Sequence, residues 1–316
     1  MAVAFTFPGQ GSQSVGMGHD LAEKFKEARL VFEEVDDALN QKLSRIIFEG
    51  PEDVLRLTAN TQPALMAVSM AVIRVMQAQG LDLAENVDYL AGHSLGEYSA
   101  LCAAGMFSLA DTARLLRIRG DAMQEAVKEG AGAMAAIIGL SEGEVETICA
   151  DVLGEGICQI ANDNGAGQIV ISGVAQAIHS AIALAEQKGA KRAVILPVSA
   201  PFHCALMQPA AEAMHQALLE VNKNKPIIPV VANVSVQPET DPQRIIELLV
   251  QQVTQRVRWR ETIQWFGSHN IDQLYEIGAG KVLTGLAKRT NKELNATVVS
   301  TSDDIETTLK TIGEKP

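Results

Sequence analysis

Positions 3–7 form a short apolar, β-prone run that stops at Pro8-Gly9-Gln10-Gly11, so a buried first strand is expected to open into a glycine-rich loop. Asn60-Thr61 followed by Pro63 reads as a helix start, and Val68, Val72, Val75 and Met76 keep helical spacing until Gly80. Asp88-Tyr89-Leu90-Ala91 then runs into Gly92-His93-Ser94-Leu95-Gly96 and a small-residue helix through Ala100, Leu101 and Ala104. That order is strand, tight turn, helix. Ser108, with Asp111 three residues on, is a capping-box-like start for the next helix, which carries Leu115, Leu116, Ile118 and Met123.

The pattern changes over 131–198. An apolar run at 134–140 is followed by a helix opened by Ser141, strands near 158–161 and 168–172, a helix over 175–188 and a strand at 193–197. Read in order this is β-α-β-β-α-β, the order of a small ferredoxin-like unit inserted in a larger domain. Beyond it come Ser199-Ala200-Pro201-Phe202-His203, a helix near 207–221, a strand over 227–234, a helix over 242–253, and strands at 273–277 and 297–300. Helices alternating with apolar strands imply a mostly parallel sheet covered on both faces. The expected division is a core from 1–128 and 199–316 around a small subdomain at 129–198.

Composition narrows the function classes. A net charge of −12 argues against binding nucleic acid or an anionic membrane, since either needs a basic surface. Cys102, Cys149, Cys158 and Cys204 show neither a CxxC pair nor zinc spacing, so the compartment reads as reducing. No basic and apolar leader opens the chain, and no apolar run reaches the ~18 residues of a spanning helix, so a cytoplasmic location is expected.

The chemistry starts at Ser94. Gly-His-Ser-Leu-Gly fits the G-x-S-x-G nucleophile elbow, in which a serine on a strained strand-to-helix turn faces N–H groups, that of Leu95 first, able to stabilise an oxyanion. A serine hydroxyl needs a base to take its proton. His203 is the preferred one, in a loop after a strand and behind Pro201, with His269 as the rival; His93 should turn away from Ser94, and His179 and His215 lie on expected helices. Gly9-Gln10-Gly11-Ser12-Gln13 is no dinucleotide fingerprint, because Ser14 stands where the third glycine belongs. It is either a plain turn or the source of a second oxyanion donor, the Gln10 N–H. Arg119 shares a partly apolar helix face with Thr112, Leu116 and Met123, away from Arg114, Arg117 and Asp121. It is either a snorkelling surface residue or an inward cation awaiting a carboxylate.

Taken together the chain resembles the malonyl-CoA:acyl-carrier-protein transacylases of fatty-acid synthesis. The resemblance runs through FPGQGSQ at 7–13, GHSLGEYSAL at 92–101, RG with MQ at 119–124, NDNGAGQIVISG at 162–173, PFHCALM at 201–207 and GAGKVLTGLAKR at 278–289. It implies an α/β-hydrolase-like core with a ferredoxin-like subdomain. It also implies Ser94 as acyl carrier, His203 as base and acid, Arg119 as anchor of the malonyl carboxylate, and Gln10 and Leu95 as oxyanion donors. Gln252, with Gln251 adjacent, matches the glutamine whose backbone carbonyl orients the histidine. Asn162 and Phe202 are the remaining expected substrate contacts. Two departures stand out: Ala166 occupies a position that is proline in many members, and Phe202 precedes His203, as in malonyl rather than methylmalonyl users, where a bulky ring leaves little room for a branched α-carbon.

The implied reaction is a ping-pong transfer from malonyl-CoA, through a malonyl-serine, to the phosphopantetheine thiol of acyl carrier protein, with no metal or redox cofactor. The alternative is a serine thioesterase or hydrolase on the same elbow. Carrier proteins are acidic and so is this chain, so a basic patch is expected near the site, with Lys191, Arg192, Lys281, Lys288 and Arg289 as its candidates.

Overall fold

The computed structural model describes residues 2–313. Among the described residues ten strands form two sheets: β1 Ala2–Phe7, β2 Tyr89–Gly92, β3 Gly132–Ile138, β4 Cys158–Asp163, β5 Gln168–Val174, β6 Arg192–Ile195, β7 Val230–Val231, β8 Pro238–Glu239, β9 Ile271–Ile277 and β10 Asn295–Val299. The larger sheet has the order β10-β9-β1-β2-β7-β8, parallel except for the β7–β8 pair. Its strands are buried because helices cover both faces, and the apolar runs that showed no alternation reflect that. The helix Thr58–Ala78 is buried along nearly all of its length, with Pro63 inside it.

The second sheet is antiparallel, in the order β4-β5-β3-β6, and its helices Glu142–Asp151 and Ala175–Gln187 follow β3 and β5. It packs a core of its own from Ile137, Val145, Ile148, Ile171 and Ile178. Ser141 caps the first of these helices in a full capping box with Glu144, as its spacing predicts. The edge strand β4 is stitched to the larger body. Asp163 N donates to Val257 O and Val257 N to Ala161 O, while Arg260 pairs with both Asp163 and Glu142 at 2.6 Å.

One expected strand contracts. The run 227–234 pairs only at Val230–Val231, because Pro229 carries no N–H for a ladder and the chain turns at Ala232, where Val236 N bonds back to Ala232 O. The turn leaves Asn233 facing the elbow. Helices at Lys26–Leu39, Trp259–Ser268, Val282–Thr290 and Ser302–Gly313 also lie outside the expected set. Lys26–Leu39 buries Ala28, Val31, Phe32 and Val35 at helical spacing, a stripe that is plain in the sequence. Among the described residues no helix is long and apolar enough to cross a membrane.

Candidate active site

Strand β2 ends at Gly92 and the helix Gly96–Ala103 begins four residues later, so Ser94 sits on the turn between them with φ 54°, in the left-handed region. Only a tightly held turn keeps a non-glycine residue there. The turn closes because Gly96 lies against β1: a Cβ there would stand 2.2 Å from Phe7 O. Gly9 makes the matching approach from the other side, where a Cβ would stand 2.7 Å from His93 O. That contact sets the Gly9-Gln10 loop beside the elbow.

His203 comes from the loop after the small sheet, also at positive φ, and is buried. Its Nε2 lies 2.7 Å from Ser94 Oγ and its Nδ1 2.7 Å from Gln252 O. A carbonyl can only accept, so Nδ1 carries the proton and Nε2 is left to accept from the serine hydroxyl. Burial, and after it the Arg119 cation, pull the imidazole pKa down to about 3. The resting dyad is therefore neutral. The rival His269 is exposed at the end of the helix Trp259–Ser268, stacked on Trp265 with its Nδ1 on Trp265 O. His93 does turn away from Ser94 and bonds Asn164 Oδ1 through Nε2.

Arg119 is 2% exposed, on a helix face where Thr112, Leu116 and Met123 are also buried, so its snorkelling alternative falls. Its Nη2 donates to Ser94 Oγ at 3.1 Å and to Gln252 Oε1 at 2.8 Å, and its Nη1 donates to Gln62 Oε1 at 2.8 Å. The guanidinium carbon lies 5.6 Å from the Tyr98 ring centroid. Gln252 thus meets the site twice, its backbone carbonyl on His203 and its side chain on Arg119; Gln251 next to it is only partly buried.

Three partners escaped the sequence reading. Gln62 and Glu97 are buried polar residues inside otherwise apolar or small-residue helices, and that mismatch was their signal. Burial pushes the Glu97 carboxyl up to about 7, against the Asn233 and Gln252 N–H groups it accepts. Asn233, fully buried, lay in what read as strand.

Ser94, His203 and Arg119 line an inner pocket of about 100 Å³ together with Gln10, Leu95, Asn162 and Phe202. It abuts an outer cleft of about 480 Å³, and Gln10, His93, Asn162, Leu196 and Val198 line both. Asn162 reaches the boundary from a bulge in β4. Every expected contact except the basic patch is therefore drawn to one place. Lys191, Arg192, Lys281, Lys288 and Arg289 are exposed and line neither space, although Val282, Leu283 and Leu286 of the helix that Lys281 precedes do. Arg56, paired with Glu52, is the cation on the outer cleft.

A hydroxyl held between an acceptor imidazole and a buried guanidinium, in a small pocket behind a longer cleft, is suited to acyl transfer from a substrate bearing a second anionic group. The family model of the acyl transferase domain matches residues 4–308. A malonyl CoA-acyl carrier protein transacylase of Bacillus subtilis (strain 168) is 44% identical over 314 residues, 99% of this chain and 98% of that protein. The crystal structure of an acyl-carrier-protein-S-malonyltransferase from Bartonella henselae matches with TM-score 0.98 and 68% identity, over 99% of this chain and 100% of that one. A chain in the structure of a type II PKS acyl-carrier protein in complex with its malonyl-transacylase matches with TM-score 0.95 and 42% identity, over 98% of this chain and 100% of that one.

Proposed function

The chain belongs to the acyl transferase domain family, among its malonyl-CoA:acyl-carrier-protein transacylases, and from that premise we propose how its own residues carry the reaction. It transfers malonyl from malonyl-CoA to acyl carrier protein. The observation that carries the mechanism is the position of Ser94 Oγ, 2.7 Å from His203 Nε2 and 3.1 Å from Arg119 Nη2.

As Oγ attacks the thioester carbonyl, its proton passes to His203 Nε2, the C–S bond breaks and the imidazolium protonates the departing CoA thiolate. The phosphopantetheine thiol then gives its proton to the same nitrogen and attacks the malonyl-serine; the ester C–Oγ bond breaks as the imidazolium returns the proton to Oγ, which restores the hydroxyl. The N–H groups of Leu95 and Gln10 take the oxyanion in both halves. The Ser94 N–H is already engaged by Asn233 Oδ1, which supports that assignment. The malonyl carboxylate binds Arg119. By count, the guanidinium offers its partnerless Nε–H, a second Nη1–H and the Nη2–H that the serine surrenders on acylation, donors enough for one carboxylate. Phe202 walls the acyl pocket, Asn162 contacts substrate at its rim, and the outer cleft takes the pantetheine arm. No step calls on a metal or redox group.

The α/β-hydrolase-like description of the core is supported by the strand–elbow–helix unit beside the first strand of a parallel sheet, and the ferredoxin-like description of 129–198 by its strand order and separate apolar core. The remaining residues, 1–128 and 199–316, make the core, with 1 and 314–316 outside the described part.

Brief exposure to malonyl-CoA, acetyl-CoA or methylmalonyl-CoA, read by intact-protein mass spectrometry before and after adding phosphopantetheinylated carrier, tests this. A malonyl adduct on Ser94 that moves to the carrier is expected. An adduct lost to water without carrier would make the enzyme a thioesterase instead.

A further inference from the structure

Ser94 is held in its left-handed conformation by its main chain, and the group that holds it comes from the chain just past the neighbouring strand β7. Asn233 Oδ1 accepts the Ser94 N–H at 2.8 Å while its Nδ2 donates to Gly92 O at 2.7 Å, so one side chain spans the entrance to the elbow. The amide has only one workable orientation. Flipped, it would set Nδ2 against an N–H and Oδ1 against a carbonyl. The Asn233 main-chain N–H donates in turn to Glu97 Oε2 at 3.1 Å, on the helix leaving the elbow. The Gln252 side chain closes the ring, donating to Ser94 O at 3.0 Å and to Glu97 Oε2 at 2.8 Å. All of these groups except Ser94 itself are buried, where an unmade hydrogen bond is costly.

We propose that Asn233 is the positioning residue of the nucleophile: it holds the Ser94 main chain so that Oγ meets His203 Nε2, and it withdraws the Ser94 N–H from the oxyanion site. It touches neither substrate nor the reacting atoms, and the inference rests on the acyl-serine mechanism above. Asn233→Ala leaves the Ser94 N–H and the Gly92 carbonyl without this partner. Asn233→Asp keeps an acceptor for Ser94 but opposes oxygen to Gly92 O and sets a second carboxyl beside Glu97.

Rapid-quench acylation by malonyl-CoA, with the acyl-enzyme counted by intact mass, separates rate from amount of competent enzyme. In Asn233→Ala the first-order acylation rate should fall about 100-fold, the scale of a 1 Å misplacement, with full burst amplitude. The concentration of malonyl-CoA giving half the maximal rate should stay near wild type, because Arg119 and both pockets are untouched. Asn233→Asp should fall between the two and serves alone if the alanine variant does not fold. A wild-type rate in either variant, or a reduced amplitude at wild-type rate, would overturn the proposal. Wild type run in parallel guards the premise: if it forms no Ser94 adduct, the mechanism itself fails, whatever the variants do.

Discussion

In the proposed mechanism Arg119 carries both binding and electrostatics. Buried beside Ser94, it keeps Gln62 and Gln252 as partners in the resting site, so an acetyl group does not leave the cation bare; malonyl gains by adding a true counter-charge. Arg119→Ala should reduce the ratio of malonyl to acetyl acylation by about 100-fold, the worth of one or two charge-assisted hydrogen bonds, while acetyl acylation changes much less. Competition between the two acyl-CoAs, read as the ratio of Ser94 adducts, checks this, and equal losses would exclude the anchor role. The same cation depresses His203. With substrate absent, the acid limb of the second-order acylation rate should lie well below the ordinary histidine range near about 6.5. A malonyl carboxylate on Arg119 cancels that repulsion, so at saturating malonyl-CoA the limb should move to higher pH. The sign follows from protonation: activity needs neutral His203, and whatever raises its pKa makes activity fail earlier as pH drops. Rapid-quench profiles at low and saturating substrate measure both limbs.

At the scale of elements, the elbow depends on backbone contact that only glycine permits. Gly96→Ala would drive a methyl into Phe7 O, part of the β1 backbone that cannot swing aside as a side-chain tip can. It should destabilise the fold by about 3 kcal/mol, the upper range for overpacking, and remove the malonyl adduct. Denaturant melting with the adduct assay tests both, and a wild-type midpoint would contradict the geometry. This scale also shows why elements differed in legibility. The strands 3–7 and 168–172 are mostly apolar runs bounded by turns, and Ser108 and Ser141 are caps whose partners lie three residues on, so local chemistry suffices to read them. The run 227–234 is just as apolar, yet Pro229 and the turn at 232 leave it two paired residues.

Across the whole molecule, the site exists only where two bodies meet. The larger body supplies the elbow, Arg119 and His203, while β4 and β5 and the stretch after β6 bring Asn162, Val170, Leu196 and Val198 to the clefts. The Arg256–Glu142, Arg260–Glu142 and Arg260–Asp163 pairs tie them together. A net charge of −12 must still admit an acidic carrier, and Lys288 and Arg289 lie on the helix that borders the outer cleft. Reversing both charges should raise KM for carrier protein about tenfold at low salt and flatten its salt dependence, while acylation by malonyl-CoA stays unchanged. Carrier-transfer kinetics across a salt series decide this, and an unaltered salt slope would move the docking patch elsewhere, Arg56 at the rim being the next cation to reverse.

By itself the sequence determined the candidate nucleophile, the glycine-bounded turn that presents it, the β-α-β-β-α-β order of the small unit, and the odd placement of an arginine on an apolar helix face. Each is written in neighbouring residues or in a spacing of a few positions, because strand length, helical period and capping are local physics. Tertiary structure alone decided that His203 rather than His269 meets Ser94, that Gln252 O replaces a carboxylate on the imidazole, and that Gln62, Glu97 and Asn233 complete the site. Those contacts join residues between 49 and 158 positions apart along the chain. Their energies come from burial and from hydrogen bonds that exist only once two sheets and their helices have packed, and no local pattern records which distant polar group will fill a buried partner's need.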